Sequence, residues 1–214
     1  MQVWILGSLA LLAAVILFRG RIRTEWQAVH SNPKRWIKRM WKEWGEPFLI
    51  AALIAIVVRT FLVGPYKIPT GSMRTTLLEG DRIFVDKITY WFRPAKRGEI
   101  VVFKYPLDTK KDFVKRLIAF GGEGVEIKGG SILINGKRLE EPPQIVNHYY
   151  YNRNDWAYAK EGQRFTVPRE SFFVLGDNSA QSSDSRNWGF VPQKYLIGRA
   201  FLIWWPLYRF GFVA

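Results

Sequence analysis

Three polar stretches of the chain carry side chains that could perform hydrolytic chemistry. The first contains Ser72, in the segment IPTGSM, and the second contains Lys115, in the segment DFVKRLIAF. The third is the loop GDNSAQSSDSRNWG at 176–189. A serine hydroxyl is a weak nucleophile unless a neighbouring base takes its proton. The chemistry of Ser72 therefore depends on which residue is that base.

Histidine and cysteine offer little for this chemistry. The chain has two histidines, His30 and His148, and no cysteine. A His-based triad or a multi-histidine metal centre is therefore hard to build, and disulfides and thiolate metal sites are excluded. We expect neither a metal nor another cofactor. A lysine can replace histidine as the base where an apolar site lowers its pKa from about 10.4.

Lys115 is the best candidate for such a lysine. The alternation of a β-strand places it on one face with Phe113 and Leu117, and Ala119 follows on that face. An amine among apolar side chains is desolvated, which favours its neutral form. A gatekeeper lysine on a sheet edge, or one that extends to solvent, would show the same pattern. The pattern alone leaves these alternatives open.

The loop at 176–189 lies between two hydrophobic strands. Asp184 and Arg186 could lock this loop, while one of its serine hydroxyls orients the lysine amine. An Asx-rich turn without a catalytic role would have a similar composition.

The chain is strongly basic, with a formal net charge of +14. Residues 19–46 hold eight Lys or Arg against three Glu, and residues 64–214 hold 23 against 15 Asp or Glu. Neither part contains a recognisable nucleic-acid module. A basic surface beside anionic lipid is the simpler explanation, and we expect no nucleic-acid partner.

Two apolar runs near the N-terminus predict transmembrane helices. Residues 3–18 carry no charge, and a helix counted from Met1 would rise roughly 27 Å. Residues 48–63 are interrupted only by Arg59. The positive-inside rule then makes the basic stretch cytoplasmic, although a pair of buried helices in a soluble protein is the alternative. The predicted division is a first span at 1–18, a cytoplasmic loop at 19–46, a second span at 47–63 and an extracytoplasmic domain at 64–214.

Short strands and turns dominate the chain after residue 63. A meander is predicted at 125–139, with turns at Gly129-Gly130 and Asn135-Gly136. Residues 140–170 are polar and rich in Tyr and Pro, which predicts an inserted excursion. The aromatic C-terminus is too short for a third span and predicts an edge resting on the bilayer. Runs rich in β-branched and aromatic residues predict further strands at 81–87, 99–104, 112–120, 172–175 and 200–205.

The predicted fold class is therefore mostly β: an antiparallel β-sheet catalytic domain anchored by two N-terminal transmembrane helices. The segments IPTGSM, FVKRLIAFGGE and GDNSAQSSDSRNWG, in this order after a membrane span, resemble type I signal peptidases over essentially the whole chain. The resemblance implies a membrane-bound serine endopeptidase with a Ser-Lys dyad. Such an enzyme removes N-terminal signal peptides from exported preproteins after an Ala-x-Ala-like site.

The resemblance also implies the location and the partners. The location is the plasma (inner) membrane, with several spans and with the catalytic domain on the extracytoplasmic face. The partners are preprotein signal peptides, bound as an extended strand, and the lipid bilayer. We expect a monomer.

Motif positions assign roles to five residues by resemblance. Ser72 matches the family's nucleophile and Lys115 its general base. Ser182 matches the serine that hydrogen-bonds the lysine. Asp184 and Arg186 match a structural ion pair.

The nucleophile segment departs from the family pattern in two places. Thr70, where many relatives have Ser, matches the hydroxyl that joins the Ser72 N–H in the oxyanion hole. Thr75 replaces a proline of many relatives, which loosens the turn but removes no catalytic group. The substrate-binding residues implied by the resemblance are Ile68, Pro69, Met73, Leu77, Phe113 and Val114.

Two other functions share some of these features. Self-cleaving repressor proteases of similar core fold also use Ser and Lys, but they would need a DNA-binding head in place of the two apolar runs. A catalytically inactive, membrane-tethered β-domain acting as a scaffold is the second alternative. The chain retains Ser72, Lys115, Ser182, Asp184 and Arg186 together, which argues against loss of catalytic activity.

Overall fold

The computed structural model describes residues 26, 29–59 and 63–213. The chain divides into two compact units between Val57 and Val58. The first predicted membrane span lies outside the described residues.

The described part of the first unit is helical. Asn32 caps the first helix, because its side chain accepts a hydrogen bond from the Arg35 N–H at 3.3 Å. The second helix falls in the second predicted span, and none of its side chains is buried. Within the described ranges, no helix is both long and apolar enough to cross a membrane. The helices are α1 Pro33–Met40, a π-helical stretch Trp41–Gly45, and α2 Glu46–Val57.

The second unit is built from short antiparallel strands, which confirms the predicted β-domain. Between the strands lie α3 Thr89–Phe92, α4 Pro143–Val146 and α5 Ser185–Trp188. The strands are β1 Val63–Lys67, β2 Arg82–Asp86, β3 Ile100–Tyr105, β4 Asp108–Phe120, β5 Gly124–Lys128, β6 Ser131–Ile134, β7 Lys137–Arg138, β8 Arg164–Thr166, β9 Ser171–Leu175, β10 Val191–Pro192, β11 Leu196–Trp205 and β12 Gly211–Phe212.

The strands form two sheets in the described part of the chain. The larger sheet has eight strands in the order β1-β2-β11-β3-β4-β9-β10, with β12 paired to β11. The smaller has the order β7-β6-β5-β8 and contains the predicted meander. Its turns fall at Gly129-Gly130 and Asn135-Gly136, where all four residues have positive φ, as tight hairpin turns of this kind require.

Strand β4 organises the larger sheet. It pairs with β3 along most of its length, but with β9 only from Arg116 to Phe120. The register shifts between Leu117 and Ala119, and these two residues pack in different core clusters. The predicted apolar face therefore ends at Leu117, because the irregularity interrupts the strict alternation of side chains.

The polar stretch at 140–170 packs against the smaller sheet. Its strand β8 pairs with β5. Ile145, Tyr150, Ala159 and Val167 are all buried in the core cluster beneath that sheet. The stretch predicted as an excursion therefore contributes to the core of the β-domain.

Gly198 allows β11 to approach β2 closely. A Cβ at this position would lie 2.4 Å from Asp86 O, a backbone atom that cannot yield without moving β2. We expect Gly198→Ala to lower the free energy of unfolding by about 1–3 kcal/mol. Gly124→Ala is the matched control, since a Cβ there would meet only Asn135 Oδ1 at 3.4 Å. Denaturant unfolding of the detergent-solubilised chain measures both, and equal effects would contradict the close approach.

Candidate active site

Ser72 lies in a single 3₁₀ turn, Gly71–Met73, in the loop between β1 and β2. The ends of this loop are held together because the Ile68 N–H donates to Asp81 O at 2.9 Å. The Met73 side chain is 1% exposed and anchors the turn in the core. The serine is therefore presented on a short turn that is fixed at both sides.

The C-terminal segment braces the same loop. Arg209 Nε donates to Asp81 Oδ1 at 3.0 Å, and Arg209 Nη2 donates to Thr76 O at 3.0 Å. Asp81 is buried, and a buried carboxylate without a partner would be strongly destabilising. Arg209 supplies that partner.

Lys115 meets Ser72 directly. Its Nζ lies 2.6 Å from Ser72 Oγ, and the lysine is only 4% exposed. Burial lowers the pKa of Lys115 to about 8, which the nearby Arg186 favours and the carboxylates of Asp184 and Asp177 oppose. About a tenth of the amine is therefore neutral at pH 7, and this fraction rises to about half at pH 8.

A buried ion pair that the sequence reasoning missed lies next to this contact. Arg116 donates from Nε to Asp177 Oδ1 and from Nη2 to Asp177 Oδ2, both at 2.7 Å. The Thr76 hydroxyl donates to the same carboxylate at 2.5 Å. The pair thus joins β4 to the β1–β2 loop that carries Ser72 and to the loop after β9. Arg116 directly follows Lys115 in the sequence, but nothing local indicates which carboxylate it would find.

The predicted ion pair of Asp184 and Arg186 is present and fully buried. Arg186 Nε donates to Asp184 Oδ1 at 2.8 Å, and Arg186 Nη2 donates to Asp184 Oδ2 at 2.7 Å. Asp184 also accepts from the Gly176 N–H at 3.0 Å and caps α5 through the Arg186 N–H. This carboxylate therefore links the start of the loop, at Gly176, to the first turn of α5 at the end of the loop.

The loop after β9 binds the Gly71–Met73 turn. The Asn178 N–H donates to Ser72 O at 3.1 Å, and Asn178 Nδ2 donates to Gly71 O at 2.9 Å. A Cβ on Gly176 would lie 2.2 Å from Ser182 Oγ and 2.4 Å from Ser72 O, so only glycine fits. The loop and the turn are therefore in direct contact. Gly176 and Asn178 belong to a motif that the sequence singled out, but their part in holding Ser72 was not predicted.

Ser182 is packed in the site without the predicted hydrogen bond. Its side chain is buried, yet its Oγ has no hydrogen-bond partner within the described part of the chain. Gly176 lies against both Ser182 Oγ and Ser72 O, which places this hydroxyl close to the Ser72 backbone. The expected bond to Lys115 is not formed in the described structure, where the amine donates to Ser72 Oγ.

A groove of about 140 Å³ opens beside Ser72 and Lys115. Leu77 does not reach it, since this side chain is completely buried in the core. Tyr66, whose pKa is raised to about 12 by burial and by Asp112, lines the groove together with that aspartate. The predicted substrate and oxyanion residues that do line the groove are Ile68, Pro69, Thr70, Met73, Phe113 and Val114.

Thr70 directly precedes the Gly71–Met73 turn, and its own backbone is extended. It is exposed to the groove, and its hydroxyl makes no capping bond to that turn in the described structure.

A larger cavity of about 340 Å³ lies among residues that include Tyr90, Trp91 and Phe172, and it contains neither member of the Ser-Lys contact. Within the described ranges, no group of three or more His, Asp or Glu side chains is placed to hold a metal ion. The groove beside Ser72 is thus where a serine hydroxyl and a buried amine meet.

The family model described as "Signal peptidase, peptidase S26" matches residues 41–205. The matched region contains Ser72, Lys115 and the loop at 176–189. The chain belongs to the signal peptidase family. It is therefore an enzyme, a serine endopeptidase of the hydrolase class, and the resemblance found in the motifs is confirmed.

Known signal peptidases align with most of the chain. Signal peptidase I of Leptolyngbya laminosa is 40% identical over 170 residues, which are 76% of this chain and 78% of that protein. The probable signal peptidase I-2 of Synechocystis sp. is 38% identical over 180 residues, or 81% of this chain and 78% of the relative. Signal peptidase I T of Bacillus subtilis is 36% identical over 172 residues, or 77% and 85% of the two chains.

The depressed pKa of Lys115 makes stability depend on pH. Folding lowers this pKa from 10.5 to about 8, so below pH 8 the folded state must bury an ammonium ion. That penalty is about 3 kcal/mol, and it disappears as the pH rises from 8 to 10.5. We therefore expect Lys115→Met to unfold at higher denaturant concentration than the wild type at pH 7, with the gap narrowing above pH 8. Lys104→Met, at an exposed position of β3, is the control. A gap that is constant from pH 7 to 10.5 would show that Lys115 is not a buried titrating group.

Proposed function

We propose that this enzyme removes N-terminal signal peptides from exported preproteins, with Ser72 as nucleophile and Lys115 as general base. The observation that carries the proposal is the 2.6 Å distance between Lys115 Nζ and Ser72 Oγ, with the lysine buried. Membership of the signal peptidase family supports the same substrate class.

The chemistry begins with the neutral form of Lys115. Its amine takes the Ser72 hydroxyl proton as the serine oxygen attacks the scissile carbonyl, which gives a tetrahedral intermediate. The Ser72 N–H and the Thr70 hydroxyl are assigned to the oxyanion, where one donor contributes about 3–4 kcal/mol. The ammonium of Lys115 then protonates the leaving amine, and the acyl-enzyme forms. Lys115, neutral again, activates the water that releases the signal peptide.

This mechanism sets the pH dependence of cleavage. Below pH 8 most of Lys115 is protonated and cannot accept the serine proton.

We assign Ser182 the task of holding the amine once it has moved from Ser72, because its buried hydroxyl lies beside the Ser72 backbone at Gly176 and is unpartnered within the described residues. The ion pair of Asp184 and Arg186 keeps this loop in place.

The groove suits a preprotein segment bound as an added β-strand. One side of β4 at residues 112–115 is not paired with β9, and the extended segment around Pro69 and Thr70 faces the same groove. A bound peptide could therefore hydrogen-bond along β4. In an extended peptide, side chains two apart point to the same side. Walls formed by Ile68, Met73 and Val114 leave little depth, so small residues at two alternate positions, as in Ala-x-Ala, fit best.

Membrane anchoring by the two apolar N-terminal runs is part of the proposal. The helix α2 exposes large apolar side chains along its whole length, among them Leu53 at 57% and Ile56 at 64%. A helix that is apolar on every side is unfavourable in water and suits a bilayer. The exposed C-terminal residues Leu207, Tyr208 and Phe210 support lipid contact by the β-domain as well.

The dyad is tested by cleavage of a preprotein with an Ala-x-Ala site, using the full chain in detergent and in lipid vesicles. Ser72→Ala removes the hydroxyl that attacks the scissile carbonyl and should lower kcat/KM by at least about 10⁴-fold. Lys115→Met removes the amine that accepts the serine proton and should lower kcat/KM by at least about 10²-fold. Ser183→Ala and Lys104→Met, both at exposed positions, should retain wild-type rates. Full activity of folded Lys115→Met would disprove the mechanism, and an inert wild type would favour the scaffold function.

The topology is tested by single cysteines, since the chain contains none. Asn154→Cys in the β-domain should react with a membrane-impermeant maleimide on intact bacterial spheroplasts, because that domain is placed outside. Lys34→Cys, in the basic stretch, should react only after the membrane is permeabilised. Both positions are exposed in the structure, so burial does not confound the comparison. Reaction of Lys34→Cys in intact spheroplasts would contradict the proposed orientation.

A further inference from the structure

Residues 151–158, here called the clamp segment, contact the loop that carries Ser182, Asp184 and Arg186. Arg186 Nη1 donates to Tyr151 O at 2.8 Å, and the Tyr158 N–H donates to Arg186 O at 2.9 Å. The clamp segment therefore forms hydrogen bonds with both the guanidinium and the backbone carbonyl of Arg186.

A serine of the loop links the same two segments. The Tyr151 N–H donates to Ser179 Oγ at 2.8 Å, and Arg186 Nη1 donates to that oxygen at 2.6 Å. Ser179 is 4% exposed and Arg186 is fully buried, so these bonds form away from water. Hydrogen bonds to a charged donor in such surroundings are among the stronger ones.

Trp156 completes the enclosure of Arg186. The indole is 8% exposed, and the Arg186 Cζ lies 4.3 Å from its ring centroid. Arg153 lies over the same ring at 5.6 Å, but its side chain is exposed. A cation–π contact that is removed from water is stronger than one at an exposed site. The indole therefore both excludes water from Arg186 and holds the plane of its guanidinium.

We propose that Trp156 is a positioning residue for catalysis, which acts through Arg186 to keep the Ser182 loop closed over the Ser72 and Lys115 contact. The inference rests on the proposed function and extends it to a part of the chain outside the three motifs. The route is short, because Arg186 binds Asp184 and Asp184 accepts from the Gly176 N–H, beside Ser182 and Ser72.

The groups that face Lys115 determine the sign of the expected effect. They are the Ser72 hydroxyl, the carboxylates of Asp184 and Asp177, and the guanidinium of Arg186. Burial and Arg186 lower the lysine pKa, while the two carboxylates raise it. If Arg186 is loosened and water enters, both of the lowering effects weaken. The pKa of Lys115 then rises, and a smaller fraction of the amine is neutral at pH 7.

The experiment measures kcat/KM for preprotein cleavage from pH 6 to 10.5 with the full chain in detergent. For Trp156→Leu we expect the acidic limb to move to higher pH, and a limb displaced by one pH unit lowers activity at pH 7 about tenfold. Activity at pH 10 should stay within about threefold of the wild type, because the base is neutral there. Trp156→Phe keeps an aromatic ring and should displace the limb less.

Two controls separate positioning from general stability. Arg153→Ala removes the exposed cation over the indole together with its surface ion pair to Asp155, and it should leave the profile unchanged. Phe165→Leu removes an aromatic side chain of β8 that packs against Tyr158, and it should lower the melting temperature without moving the acidic limb. If Phe165→Leu moves the limb as far as Trp156→Leu does, loss of local stability explains the effect and the proposal is wrong.

A second variant decides the case in which Trp156→Leu does not fold. Ser179→Ala removes the single oxygen that joins the Tyr151 N–H to Arg186, and it too should move the acidic limb to higher pH. A folded Trp156→Leu with an unchanged limb, or an unchanged Ser179→Ala where the leucine variant is unfolded, would overturn the proposal. An inert wild type would instead refute the proposed function itself.

Discussion

The site depends on a lysine amine that is withdrawn from water beside a serine hydroxyl. A charged ammonium loses hydration when it is buried, so the neutral form gains relative to the charged one. Lys115 is 4% exposed and its pKa falls to about 8, although two carboxylates lie near enough to oppose the change. Each of those carboxylates is bound by its own arginine. Because an arginine neutralises each carboxylate, the two carboxylates do not cancel the effect of burial on the pKa of Lys115.

Two buried ion pairs hold the elements that enclose this amine. Arg116 with Asp177, and Arg186 with Asp184, are almost completely removed from solvent. Pairs of this kind contribute little net stability, because desolvation offsets much of their attraction. Their directional hydrogen bonds are more informative. They join β4, the β1–β2 loop that carries Ser72 and the loop after β9 at fixed distances, so that Ser72 and Lys115 meet within hydrogen-bond reach.

Strand β4 supplies both the buried amine of the site and the arginine that binds Asp177. Lys115 and Arg116 are neighbours, and strand geometry sends their side chains to opposite faces. Lys115 turns to Ser72 while Arg116 turns to Asp177. Asp177 is followed by Asn178, which holds the carbonyl of Ser72. A displacement of β4 would therefore move the Lys115 amine and the loop that supports Ser72 together.

Most strands, the hairpin turns of the meander and the three motifs could be predicted from the sequence, because each depends on residues close together in the chain. The short strands β1, β8, β10 and β12 were not predicted. Alternating branched and aromatic residues predicted the main strands to within a few residues, and paired Gly or Asn-Gly marked both turns of the meander. The motif residues Ser72, Lys115, Asp184 and Arg186 were named from their segments, and the structure brings all four into one region.

Which of these groups touch and which stay apart depends on the tertiary structure. The partner of Arg116 is 61 residues away, and the partners of Arg209 lie at the other end of the β-domain. It is the packed core that removes Leu77 from the groove, leaves Ser182 Oγ without a partner among the described residues, and closes residues 151–158 over Arg186. Contacts of this range depend on how sheets and loops pack in space. The pKa of a buried lysine is likewise a property of the whole enclosure, to which no single segment of sequence corresponds.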